Sequence, residues 1–496
     1  MIQPVNSAPQ NTIKTSIFNI NDFHGKSINM ERAIAVSNAF DNDKKDKDVD
    51  KLKFSSGDIM LGEVEPTNKV AMLAQNYMGV MACTLGNHEY DMLEKVGNLI
   101  PDMKYRLLAC NVNLPPQNPY AKKVEKSYVQ KVNGHEYGVI GTSPCDLFSR
   151  LKYRKVFDDM HVHNISDTIK DIQKEIDKLK AKNINKIILL SHSGFAYDRK
   201  IAEETDGIDI ILGGHSHDLI RDVEPDYNLL YSKSGEPVVI TQAGRDGKYI
   251  DKLDVEFDKN TGILTKVRNS VTGTRGFKRN APVRYVFEKI LGKPHVVGQI
   301  ESVPPPLEND LIEPNPHANF VVDCIRDELG TDIALLSAAN VRGFFESGTL
   351  DSRVLDEISP FRNKLCVISY SEKEIVDALK ATCKSMVRSN NKPGLLHPSG
   401  LKYTVSRSGE LKNLTFISKD GKEHQIDVNN PDSNKFYRVG INDYCAQGND
   451  GLKMLKKYDN AEKIYDFDLI KCVEDYFRKN PTPVTIKDDG RVTIVD

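Results

Sequence analysis

Short apolar runs, each closed by a small polar cluster, recur through the first half of the chain. Residues 13–20 alternate loosely and read as a strand closed by Asn21-Asp22-Phe23-His24-Gly25. Residues 52–58 read as a second strand ending in Gly57-Asp58, and 80–85 as a third ending in Gly86-Asn87-His88-Glu89. Residues 104–112 and 137–142 are further strands. Residues 186–190 run into Ser191-His192-Ser193, and 208–212 into Gly213-Gly214-His215-Ser216-His217. Residues 237–242 complete the series. Between them, 30–40, 68–78 and 165–182 carry apolar positions at helical spacing. Strands alternating with helices predict an α/β fold. Each polar cluster then falls just past a strand's carboxyl end, where the loops of α/β sheets converge on one crevice.

The pattern changes near 275–310. Lys278-Arg279-Asn280-Ala281-Pro282 precedes a short helix over 283–291, and Val303-Pro304-Pro305-Pro306 follows it. At 496 residues the chain exceeds one ordinary core. The expected division is a catalytic domain over 1–275, a connection over 276–300 and a smaller second domain over 301–496. That second domain mixes helices (318–329, 372–386) with strands (332–336, 364–370). Residues 41–53 are a mixed-charge run and predict a solvated loop.

Composition narrows the function classes. With 68 basic and 70 acidic residues the formal net charge is -2, which gives no global attraction to a nucleic-acid polymer or an anionic membrane. No stretch approaches the roughly 18 apolar residues of a membrane span. No basic segment followed by an apolar run opens the chain, so no secretory leader is read; compartment and oligomeric state are left open. The eight cysteines form no Cys-x-x-Cys pair and read as buried free thiols.

The polar clusters carry the chemistry. Asp22 and His24, two apart at a strand end, aim to one side, and a carboxylate beside an imidazole suits a divalent transition metal. Two such cations about 4 Å apart clamp the attacking and leaving oxygens of a phosphoryl transfer. Asp58 is the candidate bridging ligand. Asp22, His24 and His217 complete one metal; Asn87, His192 and His215 complete the other. Glycines before the histidines let backbone approach closely. His-Ser-His alone could equally be a structural zinc element. His161-Val162-His163 has no evident partners, and His135, His295, His317, His397 and His424 read as ordinary surface or packing histidines.

In the second half, Arg342 ends a strand, where its planar fork suits phosphate or carboxylate. Phe361 and Tyr444 each sit in a turn-rich loop. Two aromatic faces can sandwich a base, and a carboxylate such as Asp450 can accept from ribose hydroxyls.

Asp-x-His, Gly-Asp, Gly-Asn-His-Glu, the lone His192 and Gly-His-x-His, in this order, resemble the 5'-nucleotidase family of calcineurin-like two-metal phosphoesterases. The resemblance runs over essentially 13–485. It implies a four-layered α/β/β/α first domain and a catalytic pair, His88 and Asp91. In the second domain it implies that Phe361 and Tyr444 stack the base, Asn363 bonds its edge, Asp450 holds the ribose and Arg342 meets charged or hydroxyl groups. It also implies that the second domain swings about 276–300. Ser337-Ala338-Ala339-Asn340-Val341-Arg342 departs from the family's Asn-Gly-Gly-Gly-Ile-Arg, and 307–313 lacks the basic residue often found there. The expected reaction is hydrolysis of a nucleoside 5'-monophosphate to nucleoside and phosphate. Two divalent ions (zinc, manganese or cobalt) would act, with metal-bound hydroxide as nucleophile. The rival reactions are cleavage of a nucleotide pyrophosphate, a UDP-sugar or a 2',3'-cyclic nucleotide on the same metals. A non-catalytic nucleotide-binding protein is disfavoured by the full ligand set.

Overall fold

The computed structural model describes residues 11–43, 48–62, 64–91, 93–150, 159–305, 307, 309–388, 391 and 393–496. Residues 1–7, 44–47, 306 and 308, which entered the readings of a leader, a charged loop, a proline run and a missing basic residue, lie outside these. The chain divides into two compact units between Lys293 and Pro294.

Two sheets form the heart of the first unit. One runs in the order Leu264–Gly273, Tyr249–Asp258, Thr12–Ile20, Asp50–Ser55, Ala82–Thr84, Arg106–Leu108 and Val124–Glu125. Thr12–Ile20 pairs in parallel with Asp50–Ser55, which pairs in parallel with Ala82–Thr84, so their carboxyl ends share one edge. The other sheet runs Leu229–Tyr231, Pro237–Thr241, Ile210–Leu212, Ile187–Ser191, His135–Thr142 and Ser127–Val132. Side chains on a strand alternate between faces. Ile13 and Ile17 accordingly join Leu52 and Phe54 against Val139, Ile188, Leu190 and Val239 of the second sheet. Phe18 and Ile20 face the other way, onto helices Ser27–Asp41, Glu65–Met78 and Ala281–Leu291. Helices Ile165–Lys180 and Phe195–Glu204 cover the far side of the second sheet. The layers are therefore α/β/β/α.

The connection expected at 276–300 is built into both units instead. Asn280 caps helix Ala281–Leu291 by accepting from the Val283 N–H, and Val283 and Phe287 are buried in the first unit's core. Full burial of a side chain such as Phe287 contributes about 1.5–3 kcal/mol. Val296–Ser302 pairs with Gly348–Asp351 and Val484–Thr485 in the second unit.

The charged run is only partly a loop. Its end belongs to strand Asp50–Ser55, where Lys53 is buried and donates to Ser37 Oγ (2.9 Å) and the Met78 carbonyl (2.8 Å). Buried Asp50 accepts from Asn133, Tyr137 and the His135 ring. The stretch 104–112 forms two short strands, Arg106–Leu108 and Val112–Asn113, rather than one. The hairpin Tyr249–Asp258 and Leu264–Gly273 had no counterpart in the sequence reading.

The second unit is α+β. A five-stranded sheet runs Leu396–Ser399, Ile333–Ser337, Phe436–Asn442, Leu365–Ser371 and Lys463–Ile464. A four-stranded sheet, Glu423–Ile426, Leu411–Ile417, Leu401–Ser406 and Val492–Val495, shares a core with it. Helices Pro316–Leu329 and Leu469–Lys479 pack in a further core. Helix Glu372–Cys383 starts in a capping box made by Ser371 and Glu374 and gives way to a 3-10 turn over Lys384–Val387, short of the expected 386.

Candidate metal centre and nucleoside site

The loops at the carboxyl edge of the first unit bring all seven expected ligands together. Asp58 Oδ2 lies 3.1 Å from His192 Nε2 and 3.8 Å from His24 Nε2. Asp22 Oδ1 lies 3.4 Å from His217 Nε2 and 3.7 Å from His24 Nε2. His215 Nδ1 lies 3.0 Å from Asn87 Oδ1. Bonds of about 2 Å to one cation leave neighbouring ligand atoms about 3–3.5 Å apart. Two clusters, Asp22 with His24 and His217 and Asp58 with His192 and His215, have spacings able to hold a metal ion. A third joins His24, Asp58 and His88.

The backbone is bent to achieve this. Asp22, His24, Asp58, His215 and His217 all adopt φ between 49° and 78°, in the left-handed region. Each costs of order 1 kcal/mol or more for a side chain with a Cβ, a strain that gathers at functional sites. Glu89 holds the bent segment: its carboxylate accepts from the N–H groups of Asp58, Ile59, Met60 and Gly86. Gly86 is obligatory, because a Cβ there would lie 2.1 Å from Asp58 Oδ1.

The charge state fits a cation. Burial would raise the Asp22 carboxyl, but His192 and His217 outweigh it and hold it at about 2. Asp58 is held well below the usual range against burial by His192 and His88. Burial pulls the His192 imidazole down, yet Asp58 and Asp22 lift it to about 10. Burial pushes His217 down to about 3 despite Asp22. The best test of fit is His192. It is fully buried, and its Nε2, close as it is to Asp58 Oδ2, makes no hydrogen bond. The two atoms have the spacing of two ligands of one cation. Ionised carboxylates interleaved with imidazoles suit zinc, manganese or cobalt.

Two carboxylates that the motifs did not disclose stand behind the histidines. Asp246 Oδ1 lies 3.1 Å from His24 Nδ1, and Asp146 Oδ1 lies 3.2 Å from His215 Nε2. His192 Nδ1 donates to the Ser56 carbonyl at 2.6 Å. Each ring is thus held by one nitrogen and presents the other to the cluster. The available signal was position: Asp246 follows strand Pro237–Thr241 and Asp146 follows His135–Thr142, both at the ligand-bearing edge.

His88 stands beside the cluster, Nε2 3.9 Å from Asp58 Oδ2, with Nδ1 2.6 Å from Asp91 Oδ2. Asp91 is fixed in turn by the Gly62 N–H. His163, expected to lack partners, bonds Asp171 through Nδ1 and lies 3.2 Å from Asn113 Nδ2 through Nε2. All eight cysteines are free thiols and seven are buried.

The second unit gathers the other five residues. The Tyr444 hydroxyl donates to Asp450 Oδ1 at 3.1 Å, and Ser337 Oγ reaches Asp450 Oδ2 at 3.4 Å. Arg342 sits 5.5 Å from the centre of the Phe361 ring, itself 44% exposed. Asn363 Nδ2 donates to Asn340 Oδ1.

Comparison with known proteins adds an independent finding. Residues 15–219 match the calcineurin-like phosphoesterase model, and 296–457 match the 5'-nucleotidase C-terminal domain. An apyrase of Anopheles gambiae is 27% identical over 426 residues, 76% of this chain and 70% of that protein. A 5'-nucleotidase of Mus musculus is 30% identical over 226 residues, 42% of this chain and 38% of its own length. In fold, a 5'-nucleotidase precursor from Thermus thermophilus covers 98% of this chain and 100% of its own, with a TM-score of 0.74 at 20% identity.

Proposed function

Because the chain belongs to the 5'-nucleotidase family of phosphoester hydrolases, we propose that it hydrolyses nucleoside 5'-monophosphates to nucleoside and phosphate at a pair of divalent cations. The observation that carries this reading is the gathering of six candidate ligand side chains around a seventh, Asp58. Asp22, His24 and His217 would hold one cation, Asn87, His192 and His215 the other, and Asp58 both. When bound, the cations supply positive charge to the phosphoryl oxygens and acidify coordinated water.

The protein's own part is positioning and proton delivery. Asp91 accepts from His88 Nδ1 and favours the protonated ring, leaving Nε2–H turned toward the cluster. From there it donates to the oxygen of the departing nucleoside as the P–O bond breaks, sparing that oxygen a full negative charge. Phe361 and Tyr444 would stack the base, Asp450 the ribose, and Arg342 a charged or hydroxyl group. Asp22 and Asp58, ionised at neutral pH, need no proton removed before loading.

A second reading, cleavage of a nucleotide pyrophosphate, rests on the match to a protein named apyrase over most of the chain. A substrate screen decides between them. AMP, ADP, UDP-glucose and a 2',3'-cyclic nucleotide are offered to the pure protein with and without chelator, scoring phosphate together with the nucleoside and nucleotide products by chromatography. Chelator-sensitive release from AMP is expected. Turnover of ADP or UDP-glucose with AMP untouched would transfer the proposal to the second reading, and turnover of the cyclic nucleotide alone would overturn both.

A further inference from the structure

A relay of three amides ties the nucleoside residues together, and the backbone settles its orientation. Asn442 caps the turn of helix Asp443–Ala446, its Oδ1 accepting from the Cys445 N–H at 3.0 Å. A backbone N–H only donates, so the oxygen end of the Asn442 amide is fixed. Its Nδ2 then faces Asn340, 2.8 Å away, and the atom it meets must be Oδ1. Asn340 Nδ2 is thereby directed to Ser337 Oγ at 2.5 Å and Cys445 Sγ at 3.6 Å. The same Asn340 Oδ1 meets the Asn363 amide at 3.1 Å, so that end of Asn363 must be Nδ2. Reversing any one amide would set two oxygens or two NH2 groups face to face. Asn340 and Asn442 are buried, so water cannot relieve such a clash.

Asn363 is left with Oδ1 as the amide atom outside the relay. It is half-buried, two residues from Phe361, and among the described residues no donor meets that oxygen.

Resting on the reading that Phe361 and Tyr444 hold a base, we propose that Asn363 offers that base a fixed acceptor, and that the site selects bases presenting an N–H donor at this edge, above all an exocyclic amino group. Asn340 is the positioning residue. It keeps the Asn363 amide from turning its NH2 outward to suit a base that shows only acceptors.

The experiment is equilibrium binding to the full chain, with chelator present to prevent turnover. AMP is compared with purine riboside 5'-monophosphate, which lacks the 6-amino group and has no N–H on its base. CMP is compared with its 4-desamino analogue. The amino nucleotide is expected to bind roughly five- to tenfold more tightly in at least one pair, the effect of leaving one acceptor unpaired. Asn340→Ala frees the amide to rotate and should reduce the preference to within about twofold. Asn340→Asp keeps an acceptor at both contacts and should retain it. Equal affinities in both pairs would overturn the proposal while leaving the nucleoside site intact, as would a preference unchanged in Asn340→Ala. Absence of binding by AMP and CMP alike would overturn the nucleoside reading itself, and this proposal with it.

Discussion

At the scale of single residues, the orientation of each imidazole matters as much as its presence. A ring with one nitrogen bonded to a fixed acceptor loses its rotational and tautomeric freedom, so its other nitrogen is presented as a lone pair. Asp246 does this for His24 and Asp146 for His215. Asp246 is itself anchored, since its N–H donates to the Asp22 carbonyl at 2.6 Å and its own carbonyl accepts from Asn29 Nδ2. Its carboxyl is held well below the usual range, against burial, chiefly by Arg245. Asp246→Ala is therefore expected to weaken binding of one cation by about ten- to a hundredfold, and Asp146→Ala that of the other. Metal titration of the purified chain, followed by calorimetry, checks both; unchanged isotherms would remove these carboxylates from the site. The candidate ligands themselves were legible because each lies in a short local motif at a strand end. Asp246 was not: it pairs with a residue 222 positions away, and its neighbours Arg245 and Gly247 make it look like any turn aspartate.

At the scale of elements, buried strands and amphipathic helices announced themselves, and strands with charged faces did not. Ile187–Ser191 and Ile210–Leu212 are covered on both faces and read as unbroken apolar runs. Tyr249–Asp258 alternates buried and half-exposed positions, with charges at Asp254 and Glu256, and drew no reading at all. Strand Asp50–Ser55 was read from 52 onward, and its overlap with the charged run was misjudged for a related reason: Asp50 and Lys53 are buried charges whose partners are remote in sequence. A second buried polar side chain predicts an element's response to pH. His397, in strand Leu396–Ser399, is fully buried, and neither ring nitrogen has a hydrogen-bond partner. Burial, with Arg491 adding to it, pushes its pKa down to about 4. The ordinary value near 6.5 returns on unfolding, so between these values the unfolded chain binds the extra proton. The stability His397 preserves is complete above pH 6.5 and is lost as pH falls toward 4. About 2 kcal/mol should disappear from the second unit between pH 7.5 and pH 5. Urea unfolding at the two pH values measures it, and His397→Leu should flatten that part of the dependence. An equal fall in the variant would assign the acid sensitivity elsewhere.

At the scale of the whole molecule, the expected catalytic residues and the expected nucleoside residues fall in separate units. Every expected metal ligand, with His88 and Asp91, belongs to the unit ending at Lys293; Arg342, Phe361, Asn363, Tyr444 and Asp450 belong to the unit beginning at Pro294. Damage to one should therefore leave the other's contribution readable. A small aryl phosphate such as p-nitrophenyl phosphate has no nucleoside to be held, so it reports the metal centre alone. Asp58→Asn removes a charge shared by both cation positions, and should abolish phosphate release from AMP and from the aryl phosphate together. Phe361→Ala leaves the metal ligands untouched but removes one stacking face, worth about 1–3 kcal/mol. It should raise KM for AMP by about tenfold or more and leave aryl phosphate turnover unchanged. Steady-state kinetics of the two variants on the two substrates separates the terms. If Phe361→Ala slowed both substrates equally, Phe361 would be supporting the fold rather than the nucleoside. If Asp58→Asn spared either substrate, hydrolysis would not depend on the carboxylate around which the other six side chains gather.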